Sequence, residues 1–350
     1  MPSIDESVSR PPHERPASIV TRAPARLDLA GGWSDVPPYC DEEGGCVCNV
    51  AITRYATVRL AGANAGAFAA AGRVEDSPRL AVAALARAAR MRPDRDAPTA
   101  TVWSDFPFSA GLGGSSAAGV ALAAAAHAWH GALPSMDALD DTCRAALAEW
   151  SRAVEVEDAR IAGGRQDHYA AAFGGALRLD FGADAGDAPV RVTRLGPTRA
   201  SLDAFVRRAV VVYTGESRIS GDTITAVLDA YRARAPRVVG ALARMKAIAH
   251  EMAAALEAGR LDDVGMLLDE HWVHQRALHP SITTARIDAL VTRGREAGSI
   301  GAKALGASGG GCVLLLAADG REDELRAAVA PLGELVPLAV DEVGVRVLAS

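Results

Sequence analysis

Residues 107–119 read Pro107-Phe-Ser-Ala-Gly-Leu-Gly-Gly-Ser-Ser-Ala-Ala-Gly119, and a long alanine-rich helical pattern follows at once. Glycine lets the backbone approach a ligand closely and visit positive φ. A helix start leaves unpaired N–H groups, and its dipole favours an anion. Ser115 and Ser116 add hydroxyls that can cap the helix or bind a metal ion. Together these parts make a phosphate cradle. It is not the usual P-loop, because no Lys-Ser/Thr follows the glycines, and it is not G-x-G-x-x-G either. Taken alone, the stretch also reads as a simple Gly/Ser cap, so the rest of the chain must decide.

At 350 residues the chain is long for one domain and points to two. Apolar residues make up 49%, much of it alanine, so small-residue, closely packed helices are expected. Aromatics are only 5%, which argues against a base-stacking surface for single-stranded nucleic acid. Net charge is −6 and no polybasic stripe occurs, so nucleic acid is not an expected partner. The five cysteines (Cys40, Cys46, Cys48, Cys143 and Cys312) are odd in number and form no C-x-x-C, which reads as free thiols in a reducing compartment. Residues 1–18 are expected to be a disordered tail, without the apolar core of a signal peptide. The longest apolar stretch, 117–128, is interrupted by Gly119 and His127 and reads as a buried helix, not a membrane span. A soluble cytoplasmic protein with no membrane partner is expected.

Strand patterns are read at 19–29, 45–60, 99–103, 176–180, 209–213, 312–317 and 343–348. Helical patterns are read at 77–90, 117–130, 136–158, 223–234, 238–258, 261–277, 282–297 and 322–332. The polar stretch 182–200 separates an N-terminal unit, 19–190, from a C-terminal unit, 200–350.

Four polar, glycine-flanked islands stand out: 24–39, 107–116, 163–169 and 303–311. Each joins regular elements, where sites are usually built. If they converge, they supply the parts of phosphoryl transfer. The glycine loop holds phosphates through its N–H groups. Ser115 or Ser116, with Glu155 or Glu157, offers oxygen ligands for Mg²⁺. The two glutamates are i and i+2 on a helix, so they face different ways and only one serves. Asp167, in a Gly-flanked turn, could accept or orient the proton of an attacking hydroxyl. Arg26 and Asp35 lie in the first island, and a carboxylate suits sugar hydroxyls. Plainer readings stand beside these: Asp167 as a turn cap, Arg26 as an exposed strand residue, Trp33 as core, the second glycine run as a tight turn. His271 and His274 are i, i+3 with no clear third ligand, so zinc is not expected. No G-x-S-x-G elbow is present for a hydrolase.

Taken together, the islands resemble the GHMP kinases. Pro107–Ala118 looks like that family's nucleotide motif, Ala23-Pro-Ala-Arg-Leu-Asp-Leu-Ala-Gly-Gly-Trp-Ser-Asp35 like its substrate-side motif, and Leu305-Gly-Ala-Ser-Gly-Gly-Gly311 like its third, glycine-rich motif. Within the family, Gly164-Arg-Gln-Asp-His-Tyr-Ala-Ala-Ala-Phe-Gly-Gly175, Tyr213–Asp222 and His271–Ile287 are similar to D-glycero-D-manno-heptose 7-phosphate 1-kinases. Two positions depart: Trp33 stands where those enzymes usually show glycine, and His168 where they commonly carry glutamine. Gly31-Gly-Trp-Ser-Asp35 followed by Pro37-Pro-Tyr39 is similar to L-fucokinase domains.

The resemblance implies an α+β, two-domain fold with ATP and substrate in the interdomain cleft. It implies a sugar 1-kinase using ATP and Mg²⁺, with a heptose 7-phosphate as acceptor and L-fucose or another free sugar as the alternative. A non-catalytic sugar and nucleotide sensor on the same fold is the competing class, and a possible homodimer is expected. The implied roles are residue by residue. Asp167 and Arg26 are catalytic. Pro107, Ala110, Gly111, Leu112, Gly113, Gly114, Ser115 and Ser116 bind the nucleotide. Ser115, Ser116 and Glu155 serve the metal. Arg26, Asp35, Tyr39, Asp167, Gly309 and Gly310 face the substrate.

Overall fold

A computed structural model describes residues 17–62, 70, 72–74, 79–93, 96–133, 139–216 and 221–349. The expected tail up to residue 16, the starts of two expected helices (77–78 and 136–138) and residues 217–220 lie outside the described residues.

The first half runs β1 (Ser18–Ala30), α1 (Tyr39–Glu43), β2 (Gly45–Ala61), β3 (Arg73–Val74), α2 (Arg79–Met91), β4 (Thr99–Ser104), α3 (Gly114–Trp129) and α4 (Asp141–Ala153). A π-helical turn, Val154–Asp158, then leads to α5 (Gln166–Phe173), β5 (Ala176–Phe181) and β6 (Val190–Arg194). The second half runs α6 (Arg199–Arg208), β7 (Ala209–Tyr213), α7 (Gly221–Arg232), α8 (Pro236–Glu257), α9 (Leu261–Leu278) and α10 (Ala285–Glu296). It ends with β8 (Ser299–Ala304), β9 (Cys312–Ala317), α11 (Glu322–Val329), β10 (Glu334–Val336) and β11 (Arg346–Ala349).

Two sheets carry the fold, and every strand pair among the described residues is antiparallel. The first is ordered β11-β1-β2-β4-β3. The 17-residue β2 is long enough to serve two partners along one edge. Its start pairs β5 (Val47 opposite Leu179) and its end pairs β4 (Val58 opposite Val102), while β6 adds to β5. The second sheet is ordered β10-β7-β9-β8.

Helix α3 is the centre of the first half. Gly114 and every residue from Ser116 to Ala126 are buried, as expected of a helix apolar all round. Its alanines bring its axis close to β1, where the Thr21 hydroxyl donates to the Ala121 carbonyl at 2.7 Å. A second core joins the halves: Leu27, Leu29 and Val50 of the first sheet pack with Ile248, Met252, Leu268 and Leu314 of the second half. That shared core fixes the ends of β1, α3 and β8 relative to one another.

Several expectations are corrected. The helix after the glycine loop begins at Gly114, and its N-cap is Gly113 in left-handed backbone, so no serine side chain caps it. The pattern at 136–158 is not one helix: α4 starts after Asp140, whose side chain accepts the Cys143 N–H, and ends in the π-helical turn. Period-3.6 reading cannot see an extra residue in a turn. The polar stretch 182–200 holds β6 and the start of α6, and the first sheet takes β6 and β11 from beyond the expected division. Strand β8, with Gly301 and Lys303 in six residues, and the three-residue β10 carried too weak a pattern to be read.

Candidate active site

Arg26, on the buried stretch of β1, makes a fork–fork pair with Asp167. Its Nε donates to Oδ1 at 2.7 Å and its Nη2 to Oδ2 at 3.0 Å. Its Nη1 donates to the Gly111 carbonyl at 2.6 Å, and its backbone N–H to the Leu112 carbonyl at 3.0 Å. Arg26 is only 3% exposed, which rules out the exposed-strand reading. A bidentate guanidinium–carboxylate pair is strong and directional. Here it joins the first, second and third islands.

Asp167 is not in the glycine-flanked turn. It lies in the first turn of α5, where the helix dipole favours a carboxylate. That helix lacks a cap from its own N-cap residue, Arg165. Asp35 supplies one from the first island: its Oδ2 accepts the N–H groups of Arg165 (2.9 Å) and Gln166 (3.0 Å). Gly164 is required there, because a Cβ would collide with the Asp35 carboxylate. Burial pushes the Asp35 carboxyl up to about 6. The Gln166 N–H opposes that rise, while the charges of Asp167 and Asp28 add to it.

The glycine loop sits backbone-on-backbone against the loop after β8. Gly111 has φ +76°, and a Cβ on it would lie 2.5 Å from the Leu305 carbonyl oxygen. The Cys312 N–H donates to the Ala110 carbonyl at 2.8 Å. Gly113 has φ +75°, and a Cβ there would lie 3.3 Å from the Asp167 carboxyl carbon. Gly114 lies against the Phe106 ring, and Pro107 is buried. Thus the loop's left-handed glycines present the start of α3 beside Asp167.

Across the same helix start stands Glu155. It is 4% exposed, its Oε2 lies 2.9 Å from His168 Nε2, and Ser115 and Ser116 are near enough to favour its ionised form. Burial alone would raise its pKa. Hydrogen bonds from His168, Ser115 and Ser116 outweigh that and hold it below the ordinary range. Ser115 is exposed and Ser116 buried. Glu157 faces the other way and pairs with Arg87 at 2.8 Å, so the two glutamates separate as their spacing requires. Hydroxyl and carboxylate oxygens are the hard donor set that Mg²⁺ takes, so these residues fit that ion.

The other expected substrate residues are placed differently. Trp33 (φ +78°) and Tyr39 are buried in the core of the second half, with the Tyr39 ring edge-on to Tyr231 at 5.4 Å. Gly309 donates to the Ile282 carbonyl, and Gly310 lies against the Glu216 backbone. Among the described residues, the contacts of Tyr39, Gly309 and Gly310 lie in that core and against the Ile282 and Glu216 backbone, not at the Arg26–Asp167 pair.

Sequence reasoning missed a buried set behind this pair. The Lys303 ammonium donates to the Asp28 carbonyl (2.8 Å) and lies 3.3 Å from Asp28 Oδ2. Burial lowers the Lys303 pKa while Asp28 supports its charge. His271 Nε2 accepts the Gly31 N–H at 3.0 Å. Burial and the Lys303 charge hold that imidazole well below its ordinary range. The available signal was the one charge of β8, Lys303, with Asp28 set between Leu27 and Leu29 in the buried end of β1.

Two family models match the chain: the GHMP kinases N terminal domain over residues 79–175 and the GHMP kinases C terminal domain over 252–333. The chain is 26% identical over 343 residues, 89% of its length, to a bifunctional fucokinase/GDP-fucose pyrophosphorylase of Arabidopsis thaliana. It spans 31% of that protein, about a third of the fucokinase relatives it matches. It is 31% identical over 252 residues to a mevalonate kinase of Aeropyrum pernix, covering 71% of this chain and 70% of that one. The crystal structure of a D-glycero-D-manno-heptose 1-phosphate kinase from Bacteroides thetaiotaomicron superposes with a TM-score of 0.71 at 26% identity, covering 94% of this chain and 98% of that one. With the three glycine-rich islands gathered around one guanidinium–carboxylate pair, and with domain models matching in both halves, the chain belongs to the GHMP kinase family.

Proposed function

We propose that this protein transfers the γ-phosphoryl group of ATP to the anomeric hydroxyl of a sugar. The observation that carries the reading is the Arg26–Asp167 pair set against the Gly111–Gly113 loop. The loop N–H groups and the start of α3 bind the triphosphate. Exposed Ser115, with Glu155, holds Mg²⁺, and buried Ser116 steadies the glutamate. Bound Mg²⁺ neutralises charge developing on the phosphates. Asp167 orients the acceptor hydroxyl and takes its proton, and Arg26 fixes the carboxylate's plane for that task. Positioning and electrostatics supply most of the rate. Asp35 offers its Oδ1 to a sugar hydroxyl while Oδ2 stays committed to α5.

The leading acceptor is D-glycero-D-manno-heptose 7-phosphate, supported by residues 164–175 and by the whole-chain likeness to the heptose kinase structure. The second reading is L-fucose, supported by Trp33 in the first loop and the fucokinase relatives. ATP consumption across a panel of free sugars and sugar phosphates separates them. Turnover only with the 7-phosphorylated heptose supports the first reading, turnover only with L-fucose the second. ATP consumption with no sugar of the panel overturns the sugar-kinase reading.

A further inference from the structure

His168 follows Asp167 in α5 yet points to the opposite side of the site. It is 1% exposed. Its Nε2 lies 2.9 Å from Glu155 Oε2 and 3.4 Å from Ser116 Oγ, and its Nδ1 lies 2.9 Å from Ser151 Oγ. Ser151, on α4, is completely buried and has room for its hydroxyl because Gly119 of α3 has no Cβ, which would strike that oxygen. A single line of contacts therefore runs Gly119, Ser151, His168, and from His168 to both Glu155 and Ser116. It crosses α3, α4, the π-helical turn and α5. An ionised carboxylate can only accept, so the 2.9 Å contact requires a proton on Nε2. An imidazole with both nitrogens occupied has its ring plane fixed. Residues that orient a metal ligand in this way commonly change metal affinity by about 10–100-fold when lost.

We infer that His168 is a positioning residue for the metal ligand Glu155: its Nε2–H holds the carboxylate beside Ser115 and Ser116, and Ser151 locks the ring through Nδ1. The first turn of α5 then serves both sides of the reaction, Asp167 toward the acceptor and His168 toward the metal. This rests on the proposed metal role of Glu155. It also assigns a function to a position where similar enzymes commonly carry glutamine, whose amide nitrogen can make the same donation.

Two measurements test it. In ¹⁵N NMR of the labelled full chain, with the His168 signals assigned through their loss in His168→Gln, Nε2 must carry a proton; a bare Nε2 overturns the inference. Mn²⁺ binding in the presence of a non-hydrolysable ATP analogue, followed by electron paramagnetic resonance, should weaken about 10-fold or more in His168→Leu and return to within about 3-fold of wild type in His168→Gln. If Glu155→Gln loses Mn²⁺ but His168→Leu binds like wild type, the metal site stands and the positioning role is wrong. If Glu155→Gln binds Mn²⁺ normally, the metal assignment fails and the positioning role with it. Should His168→Leu not fold, the tautomer and the His168→Gln titration still decide, since a Gln variant with Mn²⁺ affinity lowered 10-fold contradicts the donation.

Discussion

The Asp35 carboxylate accepts the Gln166 N–H at 3.0 Å, across 131 residues of chain. Through that bond the first loop caps α5, the helix whose next residue is Asp167. Any change in Asp35 therefore reaches the Asp167 carboxylate, the proposed proton acceptor, through the backbone.

Asp35→Asn should make the protein more stable and less active. Burial raises the Asp35 carboxyl from 3.8 to about 6, so the folded chain holds that proton more tightly than the unfolded one. Stability from this group is fully present below about 4, falls as pH climbs to about 6, and stays low above it. Asparagine removes the charge and keeps an oxygen able to cap. The expected gain at pH 7.5 is about 1–3 kcal/mol, vanishing toward pH 4, as read by urea denaturation at the two pH values. Turnover should fall, because the charged oxygen offered to the acceptor is gone.

Gly111→Ala and Gly131→Ala make a matched pair. Both glycines have positive φ, +76° and +69°. A Cβ at 111 meets the Leu305 carbonyl at 2.5 Å, whereas one at 131 meets nothing within 4 Å. Gly131→Ala should cost only about 1 kcal/mol of left-handed strain. Gly111→Ala should cost more and raise the KM for ATP, since the two glycine loops must part. Melting temperatures and ATP titration compare the two; equal effects would refute the close approach of the loops.

Arg26→Met should destabilise by about 2 kcal/mol, less than a fully buried pair loses because the Asp167 side chain is 26% exposed. It should also lower kcat by 100-fold or more, an estimate on the order of a misplaced acid–base group. Arg26→Lys keeps the charge but not the fork. Its stability should recover while kcat stays low, which denaturation and initial-rate kinetics would show.

Much of this site was readable in the chain. Arg26, Asp35, the glycine loop and Asp167 lie in polar islands within an apolar background, and the structure brings those islands together. Helical spacing said that Glu155 and Glu157 face different ways, and they do, even though the turn that carries them is π-helical; the choice of Glu155 came from the family resemblance. Ser151 and Gly119 gave no local signal, because their roles exist only where α3 and α4 approach. Tyr39 was expected near the substrate from the resemblance alone, and its ring packs in core against Tyr231, a contact no local pattern announces. Strands β8 and β10 were lost because short or glycine-containing strands show little alternation.

The position of the transferred phosphate is the most direct test of a sugar 1-kinase built on Asp167. With ATP and the acceptor selected from the panel, proton–phosphorus correlation NMR of the product should couple the new phosphate to the anomeric proton. The same reaction with Asp167→Asn should yield product at least about 100-fold more slowly, with the melting profile kept. A phosphate on any other hydroxyl, or near-normal turnover by Asp167→Asn, would contradict that assignment.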